Sequence, residues 1–147
     1  MTRILFVCTG NTCRSPMAEI ILKQKLKWAG IKTVRVSSAG TNTVDGLPIN
    51  ENSRKALKLL GITPKGFKSK RINEKLIESS TYVICMTSSQ KEYLKEFENV
   101  YTFNDLTGIG EILDPYGMGL DVYIETSHQL EDACNILINK HIFGGLL

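Results

Sequence analysis

Short apolar runs alternate along the chain with segments in which apolar residues recur at helical spacing. The runs have strand length, and the pattern predicts strands at 3–7, 33–37, 82–86 and 100–103. The first run is apolar at almost every position, which is typical of a strand covered on both faces. Because segments long enough for crossover helices separate the strands, the pattern predicts an α/β fold with four parallel strands.

Cap and stop residues place the predicted helices. Ser15 is suited to cap the first helix, with Pro16 at its first position and Gly30 at its end. The later helices are predicted from a cap at Asn50 or Asn52 to Gly61, at 73–78, from a cap at Ser88 or Ser89 through Phe97, and from Asp121 to about Ile142. Helices and sheet together predict a three-layer sandwich in which helices flank the sheet.

Length, charge and hydropathy limit the classes of protein to which the chain can belong. A chain of 147 residues with 42% hydrophobic content is long enough for one core, so we expect a single domain over 1–147. The 18 basic and 15 acidic residues are scattered, which favours neither a nucleic-acid partner nor a membrane partner. No apolar stretch approaches the roughly 18 to 20 residues that span a bilayer, and the first run is too short for a signal peptide. We therefore expect a cytoplasmic protein that acts as a monomer.

The cysteines are expected to be thiols, because a cytoplasmic chain rarely holds a disulfide framework. The four are Cys8, Cys13, Cys85 and Cys134, and they contain no C-x-x-C pair. Both histidines lie far along the chain, so we predict neither a metal site nor a cofactor. Cys85 and Cys134 occupy core-type positions and are predicted to be inert filling.

The segment CTGNTCRS at 8–15 is the most informative about function, since it joins the first predicted strand to the first helix. Backbone N–H groups of a short loop at a helix N-terminus can surround one point, and the helix dipole favours negative charge there. This geometry suits a phosphate dianion, so inorganic phosphate and similar oxyanions are expected to bind. The plain alternative is a buried strand-end cysteine at Cys8, a surface charge at Arg14 and an ordinary turn between them.

Each residue type in the loop has a physical task. Arg14 offers a planar, permanently charged fork for two phosphate oxygens. Cys8, surrounded by amides, a guanidinium and a helix end, is favoured as a thiolate and so as a nucleophile. The Ser15 hydroxyl can donate to that sulfur, and Gly10 and Asn11 tolerate the left-handed backbone that a tight loop requires. The predicted binding residues of the loop are Thr9, Gly10, Asn11, Thr12, Cys13 and Ser15.

An attacking thiolate needs a proton donor for the departing group, and a carboxylic acid can later deprotonate the attacking water. Asp114 is the predicted acid, because Leu113 and Tyr116 on either side can exclude solvent. Tyr116 is also expected to line the pocket. An ordinary Asp-Pro turn is the alternative interpretation. Two other carboxylates are assigned to helix ends or loops: Asp105 and Asp121.

Three segments resemble the low-molecular-weight protein tyrosine phosphatase family: VCTGNTCRSPMAE at 7–19, SAGT at 38–41 and DPYG at 114–117. The resemblance extends in order and spacing from Arg3 to about Phe143. It implies a four-stranded parallel sheet in the order 2-1-3-4, with Cys8 as nucleophile, Arg14 as phosphate binder and Asp114 as general acid and base. It also implies phosphorylated protein substrates, a phosphocysteine intermediate and a reaction without metal.

Two positions bear on the substrate. Thr12 stands where tyrosine-specific members usually have an apolar residue, and Gly117 stands where they often have a second tyrosine. Both features are similar to the bacterial protein arginine phosphatase branch. A threonine hydroxyl can bind a guanidinium, and the loss of one aromatic wall removes a stacking partner for phosphotyrosine. We therefore expect hydrolysis of protein phosphoarginine, with phosphotyrosine as the alternative.

Two further classes of protein stay open. A thiol-dependent arsenate reductase resembles the same fold, but it generally needs a resolving cysteine pair near the third strand, where only Cys85 lies. A phosphate-binding or phosphocysteine carrier protein would not need Asp114 as an acid. Cys13 is either a small side chain packed beneath the loop or the partner of Cys8 in a reversible disulfide.

Two surface features complete the sequence-based expectations. Many family members have a histidine that supports the loop from the region between the second helix and the third strand, and here Phe67 or Lys68 stands in that region. A basic cluster in the same region is predicted to be a solvated loop, with attraction of phosphoproteins or anions as the alternative: Lys65, Lys68, Lys70 and Arg71.

Overall fold

The computed structural model describes residues 1–142, and its sheet has four parallel strands in the order β2-β1-β3-β4. The strands are β1 (Thr2–Cys8), β2 (Val34–Gly40), β3 (Tyr82–Cys85) and β4 (Val100–Thr102). The helices are α1 (Arg14–Trp28), α2 (Glu51–Leu59), α3 (Glu74–Glu78), α4 (Ser88–Tyr93), α5 (Phe103–Thr107) and α6 (Leu120–Ile136), and a π-helical segment, Leu137–Ile142, continues α6. The predicted α/β class, strand order and flanking helices are confirmed.

The central strand β1 supplies both faces of the sheet with core residues. Ile4 and Phe6 pack into a large core that also takes residues from α1, α2, α5 and α6. Leu5 and Val7 point the other way, into a smaller core that includes Ile77 of α3. Burial on both faces explains why β1 is an almost continuous apolar run.

Two helix starts differ from the predicted ones because side chains bond elsewhere. Ser15 does not cap α1, which begins at Arg14; its hydroxyl lies in the loop against Cys8 instead. The cap of helix α4 is Thr87 rather than Ser88 or Ser89. The Gln90 side chain accepts the Thr87 N–H at 3.1 Å, and this bond fixes the start of the helix. That helix ends at Tyr93 and does not reach Phe97.

Other boundaries shift by a few residues. Helix α5 was not predicted. Thr102 and Asp105 exchange capping hydrogen bonds, so the helix begins at Phe103, which was predicted to belong to the last strand. The closing helix is α-helical only to Ile136. Of the two predicted caps of α2, Asn50 and Asn52, Asn50 is the cap, since its Oδ1 accepts two backbone N–H groups. Within residues 1–142, no helix is long and apolar enough to cross a membrane.

The parallel strands end at one edge of the sheet, where Cys8 of β1 lies beside Gly40 of β2. The connection that leaves β1 runs to β2 on one side of the sheet, whereas the connection that leaves the neighbouring β3 runs to β4 on the other. The crevice at such a reversal is where open α/β sheets bind ligands. The fold therefore places the 8–15 loop at the position of a binding site.

Candidate active site

The loop between β1 and α1 encloses the sulfur of Cys8. The Cys8 side chain is only 3% exposed. Its Sγ lies 2.8 Å from Ser15 Oγ and accepts a hydrogen bond from the Asn11 N–H at 3.3 Å. Because α1 begins at Arg14, its N-terminal end faces the same point. Hydroxyl, amide and helix dipole all favour negative charge on the sulfur.

Asn11 holds the loop in shape. Its backbone is left-handed, with φ of 53°, and its side chain is fully buried. Its Nδ2 donates to Ser15 Oγ and to Ser38 Oγ, both at 2.9 Å, and its Oδ1 accepts the main-chain N–H of Lys70 at 2.8 Å. Bonds to three separate parts of the chain offset the cost of this conformation, which a non-glycine residue rarely adopts.

A backbone amide, not a side chain, supports the 8–15 loop from the region before α3. The side chains expected in this role, Phe67 and Lys68, do not provide it, because the chain approaches Asn11 through the main chain of Lys70. The same residue accepts the Gly40 N–H at 2.8 Å. This stretch of chain is therefore bonded to both the loop and the end of β2.

The SAGT segment supports the loop from the side of β2. Ser38 Oγ accepts from Asn11 and donates to Glu19 Oε1 of α1 at 2.5 Å. A Cβ atom on Gly40 would lie 2.7 Å from the Thr9 carbonyl oxygen and 2.9 Å from the Thr43 methyl group. The loop can approach β2 this closely only because position 40 has no side chain.

Arg14 and Asp114 meet at the mouth of the loop. The buried Arg14 guanidinium donates from Nη1 to the Ile112 carbonyl at 3.1 Å, and its Nη2 lies 3.5 Å from Asp114 Oδ2. The Asp114 carboxylate also accepts the Tyr116 N–H at 3.1 Å. Main chain and guanidinium together position the carboxylate over the loop.

The expectation that Leu113 and Tyr116 exclude solvent from Asp114 is wrong. The Asp114 side chain is 59% exposed. Tyr116 is 75% exposed, and Leu113 is exposed as well. The turn closes on itself, because the Met118 N–H donates to the Pro115 carbonyl at 2.9 Å. Solvent therefore reaches the carboxylate directly.

The stretch of chain that carries Asp114 is held by two side chains that were not predicted from the sequence, those of Glu111 and Gln129. The Ser88 N–H and hydroxyl both donate to Glu111 Oε1, at 2.8 and 2.6 Å, and these bonds lower the pKa of the Glu111 carboxyl. Gln129 of α6 donates to the Glu111 carbonyl at 2.9 Å and accepts the Leu113 N–H at 3.0 Å. A single amide thus holds the chain on both sides of Ile112.

Cys13 lies beneath the loop against Tyr123 of α6, with 3.5 Å between Cys13 Sγ and the Tyr123 hydroxyl. Burial raises the pKa of both groups. Cys85 and Cys134 are buried away from the site, and burial raises the pKa of each to about 12. All four cysteines are free thiols.

Loop and turn line an open cavity of about 630 Å³. The predicted site residues that line it are Cys8, Thr9, Gly10, Thr12, Cys13, Arg14, Asp114 and Tyr116. Asn11 and Ser15 are fully buried and do not line the cavity, but both form hydrogen bonds with Cys8. The remaining lining residues were not predicted, and they come from the region after β2 and from one basic residue before α3: Asn42, Thr43, Val44, Leu47 and Arg71.

The other candidate groups lie elsewhere. Asp105 caps α5 and pairs with Lys91 at 2.7 Å, which lowers the pKa of its carboxyl. Asp121 lies in the first turn of α6. Within residues 1–142, no three His, Cys, Asp or Glu side chains are grouped as metal ligands would be.

The chain belongs to the low molecular weight phosphotyrosine protein phosphatase family, whose model matches residues 3–142. It is 36% identical over 144 residues to a protein-arginine-phosphatase of Bacillus subtilis (strain 168), covering 93% of this chain and 95% of that protein. It is 34% identical over 133 residues to the low molecular weight protein-tyrosine-phosphatase PtpB of Staphylococcus haemolyticus, covering 87% and 91%. Both relatives are phosphatases of proteins.

A solved structure of a YwlE arginine phosphatase, a cysteine-to-serine mutant with a phosphorylated active site serine, superposes on the chain with a TM-score of 0.89. The two are 33% identical, and the match covers 96% of each chain. A phosphoryl group on the residue that replaces a cysteine fits a cysteine nucleophile in that enzyme.

Proposed function

We propose that this protein hydrolyses phosphoarginine on protein substrates, through a phosphocysteine intermediate on Cys8. The observation that carries the proposal is the enclosed Cys8 sulfur, 2.8 Å from a serine hydroxyl, beneath an Arg14 and Asp114 pair that stands at the mouth of the loop. The same chemistry does not require a metal or another cofactor. A cytoplasmic monomer is part of the same proposal.

Binding begins with the phosphoryl oxygens. The loop amides and the Arg14 guanidinium can hold them, since the Ile112 carbonyl and the Asp114 carboxylate do not occupy all five guanidinium N–H groups. The phosphorus is then held above Cys8 Sγ, which is the geometry of in-line attack.

In the first chemical step, the Cys8 thiolate forms the S–P bond as the P–N bond to the arginine side chain breaks. Asp114 gives a proton to the departing nitrogen, so the product leaves as an ordinary arginine. In the second step, Asp114 removes a proton from water, whose oxygen attacks phosphorus. The S–P bond breaks, and the Ser15 hydroxyl and the Asn11 amide stabilise the departing thiolate.

The choice of phosphoarginine is supported by Thr12, whose side chain lines the cavity together with that of Asp114. A hydroxyl and a carboxylate can both accept hydrogen bonds from a guanidinium, whereas a phenyl ring has no such donors. The protein-arginine-phosphatases among the relatives agree with this choice. Phosphotyrosine is the second candidate, because Tyr116 offers an exposed aromatic wall and PtpB is a relative.

The two remaining classes of protein are disfavoured. An arsenate reductase needs an accessible resolving thiol, but Cys85 on β3 is fully buried, and burial raises its pKa to about 12. A phosphate carrier has no use for an acid, yet Asp114 is fastened over the loop.

Two assays test the proposal. Hydrolysis of p-nitrophenyl phosphate in EDTA should proceed in the parent and be lost in Cys8→Ser; no turnover, or turnover that survives this change, would end the phosphatase assignment. Phosphoarginine and phosphotyrosine forms of one peptide are then compared side by side. A higher kcat/KM for phosphotyrosine would replace the favoured substrate with the second candidate.

A further inference from the structure

A second cavity, about 480 Å³ in volume, lies between α1 and the stretch 62–70. We name it the basic groove, because five of its lining residues are lysines: Lys23, Lys27, Lys65, Lys68 and Lys70. Glu19 is the single carboxylate among its described lining residues, and it is already paired with Lys23 at 2.6 Å and bonded to Ser38. The other four lysines form no ion pair with any described residue. The groove therefore carries a strong excess of positive charge.

The basic groove and the candidate active site are lined by consecutive residues of one stretch of chain. Lys70 lines the groove, and the next residue, Arg71, lines the cavity above Cys8. The backbone at this junction is fixed, because Arg71 bridges to Gly40 and donates its N–H to Asp45 at 2.8 Å. The Arg71 side chain is exposed and, within residues 1–142, forms no ion pair. One short stretch of chain thus contributes the charge of Lys70 to the groove and the charge of Arg71 to the cavity.

The shape of the groove suits an extended polypeptide. Lys23 and Lys27 are one helical turn apart, a rise of about 6 Å along α1. Every second residue of an extended chain faces the same way, at a spacing of roughly 6.6 Å. Acidic side chains at alternate positions can therefore meet Lys27 and also Lys23, whose ammonium has further N–H donors beside its bond to Glu19. The apolar floor, which includes Ile62 and Phe67, can contact the stems of those side chains.

We propose that the basic groove and Arg71 bind an acidic, extended stretch of the phosphoprotein substrate, next in sequence to the phosphorylated residue. The proposal rests on the proposed function and specifies its substrates further. Exposed ion pairs are weak one by one and are screened by salt, so several must act together. The expected gain is about threefold to tenfold in kcat/KM, carried mainly by KM, for acidic over neutral flanks.

The experiment uses pairs of peptides that differ only in their flanks, with Asp and Glu in one and Asn and Gln in the other. Each pair is made in phosphoarginine and phosphotyrosine forms. The groove variant is Lys27→Gln/Lys65→Gln/Lys68→Gln. The control variant removes the same charge from exposed lysines outside the groove and the cavity: Lys58→Gln, Lys75→Gln and Lys140→Gln.

The measured quantity is the ratio of kcat/KM for the acidic peptide to that for the neutral one. We expect a ratio of about threefold to tenfold in the parent and the control variant, close to one in the groove variant, and falling as salt is added. A parent ratio near one, or an equal loss in both variants, would overturn the groove proposal. If instead a single-stranded oligonucleotide or an anionic vesicle binds the parent and not the groove variant while the ratio stays near one, the groove serves another partner and the proposal is wrong.

A failure of the proposed function can be distinguished from a failure of the groove proposal. Its failure would show as no hydrolysis of either neutral peptide by the parent, or as hydrolysis that persists in Cys8→Ser. The ratio between flanks is defined only by peptides that are hydrolysed, so the two proposals are tested by different measurements.

Discussion

Arg14 Nη2 and Asp114 Oδ2 lie 3.5 Å apart, yet the two side chains occupy different surroundings. Arg14 is 6% exposed, whereas Asp114 is 59% exposed. Because water screens a pair with one exposed partner, its contribution to stability is small. The consequence of the contact is geometric: the buried guanidinium holds the carboxylate over the loop that encloses Cys8.

Replacing the acid should slow chemistry rather than binding. We expect Asp114→Ala to lower kcat roughly 100-fold or more on phenyl phosphate, the usual scale for general acid catalysis. The loss in kcat/KM, which reports S–P bond formation and not the later hydrolysis step that Asp114 also serves, should be smaller on p-nitrophenyl phosphate, whose leaving group needs no proton. Asp121→Ala, which changes a carboxylate outside the cavity, is the matched control. An undiminished rate on phenyl phosphate would show that the acid is elsewhere.

Thr12 should decide between the two candidate substrates. Thr12→Ile removes the hydroxyl and adds apolar surface, so the kcat/KM for phosphotyrosine relative to phosphoarginine should rise, by about tenfold if one hydrogen bond is lost. Thr12→Ser keeps the hydroxyl and should leave the ratio near that of the parent. Parallel kinetics on the two peptides provide the measurement. A ratio that does not move in Thr12→Ile would remove the main structural support for phosphoarginine.

Cys13 should protect the nucleophile from irreversible oxidation if it pairs with Cys8. Hydrogen peroxide should inactivate the parent, and dithiothreitol should restore its activity. In Cys13→Ala the inactivation should persist after dithiothreitol, because a sulfinic acid on Cys8 is not reduced by thiols. Equal recovery of the two proteins would show that Cys13 is only packed beneath the loop.

The buried thiols should weaken the fold at high pH. In the unfolded chain a cysteine loses its proton near pH 8.5, but burial raises the pKa of Cys134 in the folded protein to about 12. The native state therefore holds more protons between these values, so the free energy of unfolding falls as pH rises, by roughly 1 kcal/mol per pH unit for this thiol. Urea unfolding at pH 8 and pH 10 measures the slope.

The variant for this prediction is Cys134→Ala, which is expected to have a shallower slope between those two pH values. Its stability at pH 7 is lower than that of the parent because a small cavity replaces the sulfur, so slopes rather than absolute values are compared. Identical slopes would mean that the Cys134 thiol does not stay protonated in the folded protein.

The four strands could be predicted from their apolar runs, and the consecutive apolar residues of β1 indicated burial on both faces. The order of the strands was predicted only through the family resemblance. The helix ends could not be predicted as well, because several neighbouring residues were able to cap each helix. Thr87, Ser88 and Ser89 are all suitable caps, and the bond between the Gln90 side chain and the Thr87 N–H decides among them. Such a choice depends on tertiary packing rather than on residue type.

The local part of the site was predictable because residues 8–15 are contiguous, and their chemistry can be read from their types. The contributions of distant parts of the chain to the site could not be predicted. The support for Asn11 comes from the main-chain amide of Lys70, and an amide carries no residue signature. Gln129 and Arg71 are ordinary surface types whose positions near the site depend on how the chain folds back.

The three bonds of the Asn11 side chain have a thermodynamic consequence for oxyanion recognition. A loop that already has its bound conformation loses little conformational entropy when an oxyanion binds. Calorimetric titration with inorganic phosphate or vanadate should accordingly show a small entropic penalty. Asn11→Ala should enlarge that penalty far more than it changes the enthalpy of binding.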